Sequence, residues 1–533
     1  MVIRGFFLIV ISGILFFASH GYAIINVPGD YPTIQEAIDA AAPEEKVLVQ
    51  PGIYNEYVQF YLNKRYVLEG VDRDTTIIDG DFTWTPVNIL TQSSVSLSYL
   101  TIRNSASHGI NIYAPDWTGS VTINNCVIMD NINDGIHYVG GYNYYDFHFY
   151  PYRQYCTIID SIITNNSENG IYFDTVSTYT IKFCEITNNG LCGISTIGFF
   201  DGGVSFTAEI SFNYFAYNSC GIHTYDNLLD LHASNNLFEY NRSCAIGGFC
   251  YVGCNFTMDD NTFQFNSGSY LIDFDSKYTA EFHLKNNSVL NNTLSTDICS
   301  FTSDMGAYIA SVEKNFFSGN IAPGHLFYAI FCETMNFTNN IIFNNTVSDA
   351  ISAGGFYPSE LIITNNTLVN NSWTETFNIG AEGPIKIVNN IFSLNSNYGL
   401  NFPDGCMTHS LTPCDIKNND IYGNFPADIF YNHVEYTDID DFNLSVPEAE
   451  ANISCDPSFK AADDFHLAPS SCCIDTGSPD SAPSFDIDNE PRPMLSGYDI
   501  GADEALFRVP TRSFVLLVLL PVLLIIKFAY KVQ

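Results

Sequence analysis

Twelve times between residues 126 and 424, a small polar residue is followed five positions later by asparagine. The first three units begin on Cys126, Ser161 and Cys184. The next nine begin on Asn213, Asn236, Asn261, Asn287, Asn315, Asn340, Asn366, Asn390 and Asn419. The offset inside a unit never changes, whereas the distance from one unit to the next ranges from 23 to 35 residues. A fixed motif at variable spacing describes a constant cross-section interrupted by loops of changing length, which is how a solenoid is built.

The residues around each unit say which kind of solenoid. A short alternating segment precedes it, such as Val121-Thr122-Ile123 or Leu361-Ile362-Ile363. A large apolar residue sits inside it, as in Ile128, Ile163, Ile186 and Phe215, and a Gly-Ile step often follows, as at Gly109-Ile110, Gly135-Ile136, Gly170-Ile171, Gly193-Ile194 and Gly221-Ile222. Segments this short, rich in β-branched and aromatic residues, with Asn and Gly at the corners, are strands. Stacking one coil on the next at about 4.8 Å makes parallel sheets and brings like residues into columns. Stacked Asn amides then hydrogen-bond along the axis. The expectation is therefore a structural ladder, with Asn itself turning the left-handed corner. The predicted fold class is all-β: a single-stranded right-handed parallel β-helix, a solenoid of about 12–15 coils with a short N-terminal capping helix.

Two further stretches carry a family resemblance. Ile25-Asn26-Val27-Pro28, Tyr31-Pro32-Thr33-Ile34-Gln35-Glu36-Ala37-Ile38 and Val47-Leu48-Val49-Gln50-Pro51-Gly52-Ile53-Tyr54 resemble the N-terminal cap and first coil of the pectin lyase-like superfamily of parallel β-helix proteins. Cys473-Ile474-Asp475-Thr476-Gly477-Ser478-Pro479 and Asp499-Ile500-Gly501-Ala502-Asp503-Glu504 resemble the closing segment of choice-of-anchor Q surface proteins. The resemblance implies the fold and leaves activity open, because hydrolases, lyases, epimerases and passive adhesins share it. It places a capping helix around Gln35 to Ala41.

Charge narrows the partners. Lys and Arg total 20 against 58 Asp and Glu, a formal net charge of -38. Nucleic acid needs cations on the protein, so none is expected as a partner. A long polyanion is disfavoured as well, unless Ca²⁺ bridges carboxylates. Residues 1–23 have a charged start at Arg4, an apolar run and a small-residue exit at Gly21-Tyr22-Ala23, which reads as a signal peptide. Residues 508–533 read as a hydrophobic anchor or sorting tail reaching a membrane. Between them lie an N-terminal cap with first coils (24–100), the repeats (101–430) and C-terminal coils with a closing segment (431–507). The expected location is outside the cell: at the surface, associated with an outer membrane, or extracellular.

The enzymatic signatures of the superfamily are missing. Asp259-Asp260, Asp440-Asp441 and Asp463-Asp464 occur without the Gly-His-Gly and Arg-Ile-Lys of polygalacturonases, and the catalytic strand of pectinesterases is absent. A lyase or hydrolase would need carboxylates and a base on adjacent coils, drawn from Asp174, Asp226 or Asp230 with Arg153 or Lys182. The first expectation is accordingly a surface-anchored binding, adhesin or rod protein whose partner is a polysaccharide or cell-surface glycan. The alternative is a polysaccharide-degrading lyase or glycoside hydrolase. No cofactor is expected, with Ca²⁺ reserved for the enzyme reading.

A binding face can be located by strand alternation. After successive Gly-Ile steps the outward positions read Asn111, His137, Tyr172, Ser195 and His223. Two residues further they read Tyr113, Val139, Asp174, Ile197 and Tyr225. Together with Asp226, and with Arg153 in the Tyr-rich loop Gly140 to Tyr155, these supply the aromatic and polar groups that hold a sugar chain. Among the cysteines, Cys192, Cys220 and Cys244 share a corner where two of the three could pair, and Cys406 with Cys414 reads as a loop staple. Cys250 and Cys254 are spaced like half a zinc site without its other half, so no metal is expected.

Overall fold

The computed structural model describes residues 24–505 apart from short stretches at 62–63, 91–93, 115–118, 141, 146–147, 152–153, 177, 199–205, 227–228, 252, 279, 305–307, 355–359, 381–382 and 404–413. The stretches expected to be a signal peptide and a hydrophobic tail lie outside the described residues, as do Arg153 and Cys406. The chain is an all-β parallel solenoid of about 14 turns. It divides into two compact units, one ending near Glu281 and the other beginning at Phe282, with short segments between 292 and 306 exchanged.

In the first unit each turn contributes a strand to each of three parallel sheets. The interior is a set of vertical columns. In the first sheet Val121, Cys156, Tyr179, Ala208, Leu231 and Phe256 follow one another in register. In the second the column is Ile128, Ile163, Ile186, Phe215, Phe238 and Phe263. In the third it is Ile110, Ile136, Ile171, Ile194, Ile222, Ile246 and Ile272. All are buried. Identical shapes stack best: Phe238 lies 4.9 Å from both Phe215 and Phe263, nearly parallel to each. Helix Ile34–Ala40 covers the N-terminal end, one residue earlier than expected; Thr33 caps it, and Ile34, Ala37 and Ile38 are buried. The Tyr-rich loop carries an antiparallel pair, Tyr142–Tyr145 with His148–Pro151.

Two asparagine columns run beside the interior. In the first unit Asn131, Asn166, Asn189, Asn218, Asn241 and Asn266 each donate Nδ2 to the Oδ1 of the next asparagine, ending on Asn292, over 2.8–3.4 Å. Asn213, Asn236 and Asn261 form the second column, at 3.0 Å per step. The second unit repeats the device through Asn287, Asn315, Asn340, Asn366, Asn390, Asn419 and Asn452. There helix Ile439–Ser445, which the periodicity did not predict, ends the column: Asn443 Oδ1 accepts from Asn452 Nδ2 at 2.9 Å.

One detail differs from expectation. The ladder asparagines do not take the left-handed corner; the residue before each does, as at Asn339 (φ 55°), Asn365 (φ 55°), Phe212 (φ 59°) and Tyr240 (φ 55°). Division of labour explains it. The ladder residue must point inward with its N–H along the axis, so the kink falls on its neighbour, whose side chain then faces out. In the second unit that outward row is covered. Asn339, Asn365, Asn389 and Asn418 donate to carbonyls of Phe485, Asp499, Ser478 and Thr476, so the closing segment runs back along the turns. Arg492, fully buried, is neutralised there by Glu504 at 3.0 Å.

Candidate functional site

The predicted face exists in the third sheet of the first unit. Asn111, His137, Tyr172, Ser195 and His223 stand in register on successive strands, and so do Tyr113, Val139, Asp174, Ile197 and Tyr225. Alternation turns the isoleucines between them inward and leaves these residues at the surface. The structure brings three of them together. The His137 ring stacks on Tyr172 at 4.9 Å with 10° between planes. Asp174 lies two residues along from Tyr172, near enough for the His137 charge to act on its carboxyl. His223 is exposed, set apart from this group by Ser195, and Tyr225 stacks on Phe249 at 5.2 Å. Asp226 ends strand Cys220–Asp226, but its side chain lies outside the described residues. The carboxylate and cation pairing drawn from Asp230 and Lys182 does not form with Asp174. Both belong to the first sheet, because the strands Leu229–Ser234 and Thr178–Lys182 follow the loops that leave the third.

Two residues that the sequence reading passed over complete the group. His108 and Asp134 occupy the corner three positions before Asn111 and His137. His108 stacks on His137 at 4.0 Å. Asp134 is buried, and its Oδ2 lies 2.8 Å from His137 Nδ1 and 3.2 Å from His108 Nδ1. Its Oδ1 accepts from Asn169 N at 3.0 Å and Nδ2 at 2.9 Å. Burial alone would push the Asp134 carboxyl up. The hydrogen bonds from His108, His137 and Asn169 outweigh it and hold the group well below the usual carboxylate range. Asp174 goes the other way: desolvation raises its pKa, against the opposing pull of His137. Tyr172 is raised by desolvation and by the charges of Asp174 and Asp134. One face therefore holds a fixed carboxylate, an imidazole oriented by it, and a carboxyl inclined to keep its proton.

The signal for His108 and Asp134 was the corner itself. Cys192, Cys220 and Cys244 were recognised there, and reading the same position back through Asn169 reaches Asp134 and His108. Cys220 and Cys244 form a disulfide across adjacent turns, while Cys192 is free. Cys250 and Cys254 also pair, so the suspected half zinc site is a disulfide; the turn between them returns the strand ends to one another. Cys455–Cys472 is a further bridge, and Cys414 is disulfide-bonded. In the second unit the equivalent corner holds His325. It contacts Asp349 at 2.6 Å, off the line of a straight hydrogen bond, donates its backbone N–H to Asp297 Oδ1 at 2.7 Å, and stacks on Tyr328 at 5.0 Å.

A family match agrees with the architecture. Residues 147–311 match the family described as the right handed beta helix region. No curated protein matches the sequence. Among solved structures, the chain is similar to the Agl-KA catalytic domain, at 13% identity and TM-score 0.38 over 61% of this chain and 68% of that one. It is similar to the catalytic unit of the GH87 alpha-1,3-glucanase from Streptomyces thermodiastaticus strain HF3-3, at 13% identity and TM-score 0.32, covering 69% of this chain and 65% of that one. Pectate lyase Pel9A shares 13% identity at TM-score 0.23, with 91% and 96% covered.

Proposed function

We propose that this protein binds a neutral or weakly charged glycan along the third-sheet face of its first unit. The observation that carries the reading is the surface stack of His108, His137 and Tyr172, flanked by Asp174. Ring faces and edges pack against the apolar side of a sugar while carboxyl and imidazole groups take its hydroxyls. The acidic balance of the chain argues against a uronate polymer. An exported protein held at the cell surface fits the composition of residues 1–23 and 508–533, and cell fractionation tests it: release of intact full-length chain as a soluble species refutes the anchor. Calorimetric titration with a panel of neutral oligosaccharides tests the binding. Binding that is weakened in Tyr172→Ala and His137→Ala, with both variants folded, supports the face; equal affinity in wild type and variants refutes it.

Cleavage is the second reading, favoured by one observation. An imidazole oriented by a buried carboxylate stands beside a carboxyl with a raised pKa, which is a base and an acid on one face. A reducing-end assay on the glycans that bind separates turnover from retention.

A further inference from the structure

Three clusters among the described residues bring metal-ligating atoms within 4.8 Å of one another. Two are already committed. Cys472, which sits with Asp420 and Cys473, is bridged to Cys455. His466, near Asp503, has both ring nitrogens occupied, Nδ1 by Asp464 and Nε2 by Asp488 at 2.8 Å. The third is His108, Asp134 and His137.

We propose that His108 Nδ1, Asp134 Oδ2 and His137 Nδ1 are a three-ligand site for a divalent transition-metal ion of zinc-like preference. The proposal does not rest on the glycan reading. Its first support is convergence. The two nitrogens approach one carboxylate oxygen at 3.2 and 2.8 Å. Ligand atoms around a tetrahedral ion with bonds of about 2.0–2.1 Å stand roughly 3.3 Å apart, close to the two nitrogen-to-oxygen separations here.

The second support is the shell behind the ligands. Asn169 grips the other carboxylate oxygen through two hydrogen bonds, which aims Oδ2 outward as ligating carboxylates are normally aimed. Two imidazoles and one carboxylate suit zinc, iron or nickel; calcium and magnesium prefer oxygen alone. The side chains of His108 and His137 are 17% and 22% exposed, so an ion enters from solvent and keeps coordination positions for water or a hydroxyl. Because the two rings are stacked with 22° between planes, His108 must swing about its Cβ–Cγ bond on binding. It stands before strand Ile110–Tyr113, in the turn, and the swing gives up its 3.3 Å contact with the Asp134 N–H.

The experiment is titration of chelator-stripped full-length protein with Zn²⁺ alone, by calorimetry at neutral pH, followed by Co²⁺ absorption to identify ligand type. Asp134→Asn installs the residue type that Asn169 shows one turn along, so it folds, and His108→Gln is an independent second variant. Expected are tight binding by the wild type, a loss of about 100-fold in Asp134→Asn and at least about 10-fold in His108→Gln, with unchanged circular dichroism in the absence of metal. Absence of wild-type binding overturns the proposal. So do equal titrations in all three proteins, loss confined to one variant, or a Co²⁺ spectrum dominated by thiolate ligands.

Discussion

Replacing Asn340 by Ala tests whether the asparagine columns hold the second unit together. Asn340 Oδ1 accepts from Asn315 N and Nδ2, both at 3.0 Å, and its Nδ2 donates to Val312 O at 2.8 Å and Asn366 Oδ1 at 3.0 Å. The residue is fully buried. Truncation leaves the Asn315 N–H, one Asn315 amide hydrogen and the Val312 carbonyl without partners; Asn366 Oδ1 keeps the residue-340 N–H at 2.8 Å. Each orphaned buried group costs about 1–3 kcal/mol, and water entering the gap recovers part, so a net loss of roughly 3–5 kcal/mol is expected. Asn344→Ala is the internal control. Asn344 is exposed and left-handed (φ 57°), so an alanine there costs only about 1 kcal/mol. Equilibrium denaturation of both variants decides the matter. If Asn340→Ala loses no more stability than Asn344→Ala, the columns are not what secures the turns.

Three other outcomes follow from the same structure. Removing the Cys220–Cys244 bridge by a double serine substitution frees a closure of 24 residues and should lower stability by about 3 kcal/mol, seen as a melting difference that reductant abolishes in the wild type. Tyr172→Ala should weaken glycan binding by up to about 10-fold through loss of the stacked ring, measured by titration, without moving the melting temperature by more than a degree or two. The second unit should be less stable at pH 9 than at pH 5. Burial raises Asp420 and Asp499 to about 7, and the bond to Asp488 raises His466 to about 9. All three favour the protonated form when folded. Their contribution is therefore complete below the unfolded values, falls between about pH 4 and 7 for the carboxyls, and falls between about pH 6.5 and 9 for the histidine. Asp420→Asn should flatten the first part of that decline; an unchanged slope refutes the assignment.

The periodic part of this protein was readable because each turn is under the same physical demand. A buried amide that must satisfy the turn above and the turn below can only be Asn, so Asn213 to Asn419 mark the turns in the sequence as plainly as in the structure. The register of the third sheet followed from alternation, which is why His137, Tyr172 and Asp174 were placed on one face in advance. Apart from the capping helix, whose stretch carries a family resemblance, features without a period were not readable. Helix Ile439–Ser445 ends a column once, and the Cys250–Cys254 bridge depends on how one turn returns on itself. The closing segment binds the outward asparagines through backbone carbonyls, which leave no trace in residue type.

His108 and Asp134 were missed for a different reason, and it bears on where a solenoid keeps its chemistry. A column made of one repeated residue satisfies itself. Asn169 in this corner can do so, donating to Asp134 and accepting from Cys192 N at 3.1 Å. A carboxylate in the same column accepts only. Asp134 takes two bonds from Asn169 on one oxygen and has nothing to give to the preceding turn, so its second oxygen is left over, buried and charged. The unfavourable term is removed only by bringing donors or a cation to that oxygen, and His137 and His108 are the groups that arrive. A break in a ladder thus gathers titratable side chains at one level of an otherwise uniform surface. Asp134→Asn should restore the uniform column, release His137 from its fixed orientation and leave the fold intact. If the His137 ring resonances and the glycan affinity are both unchanged in that variant, the break in the column is a structural accident and not the origin of the site.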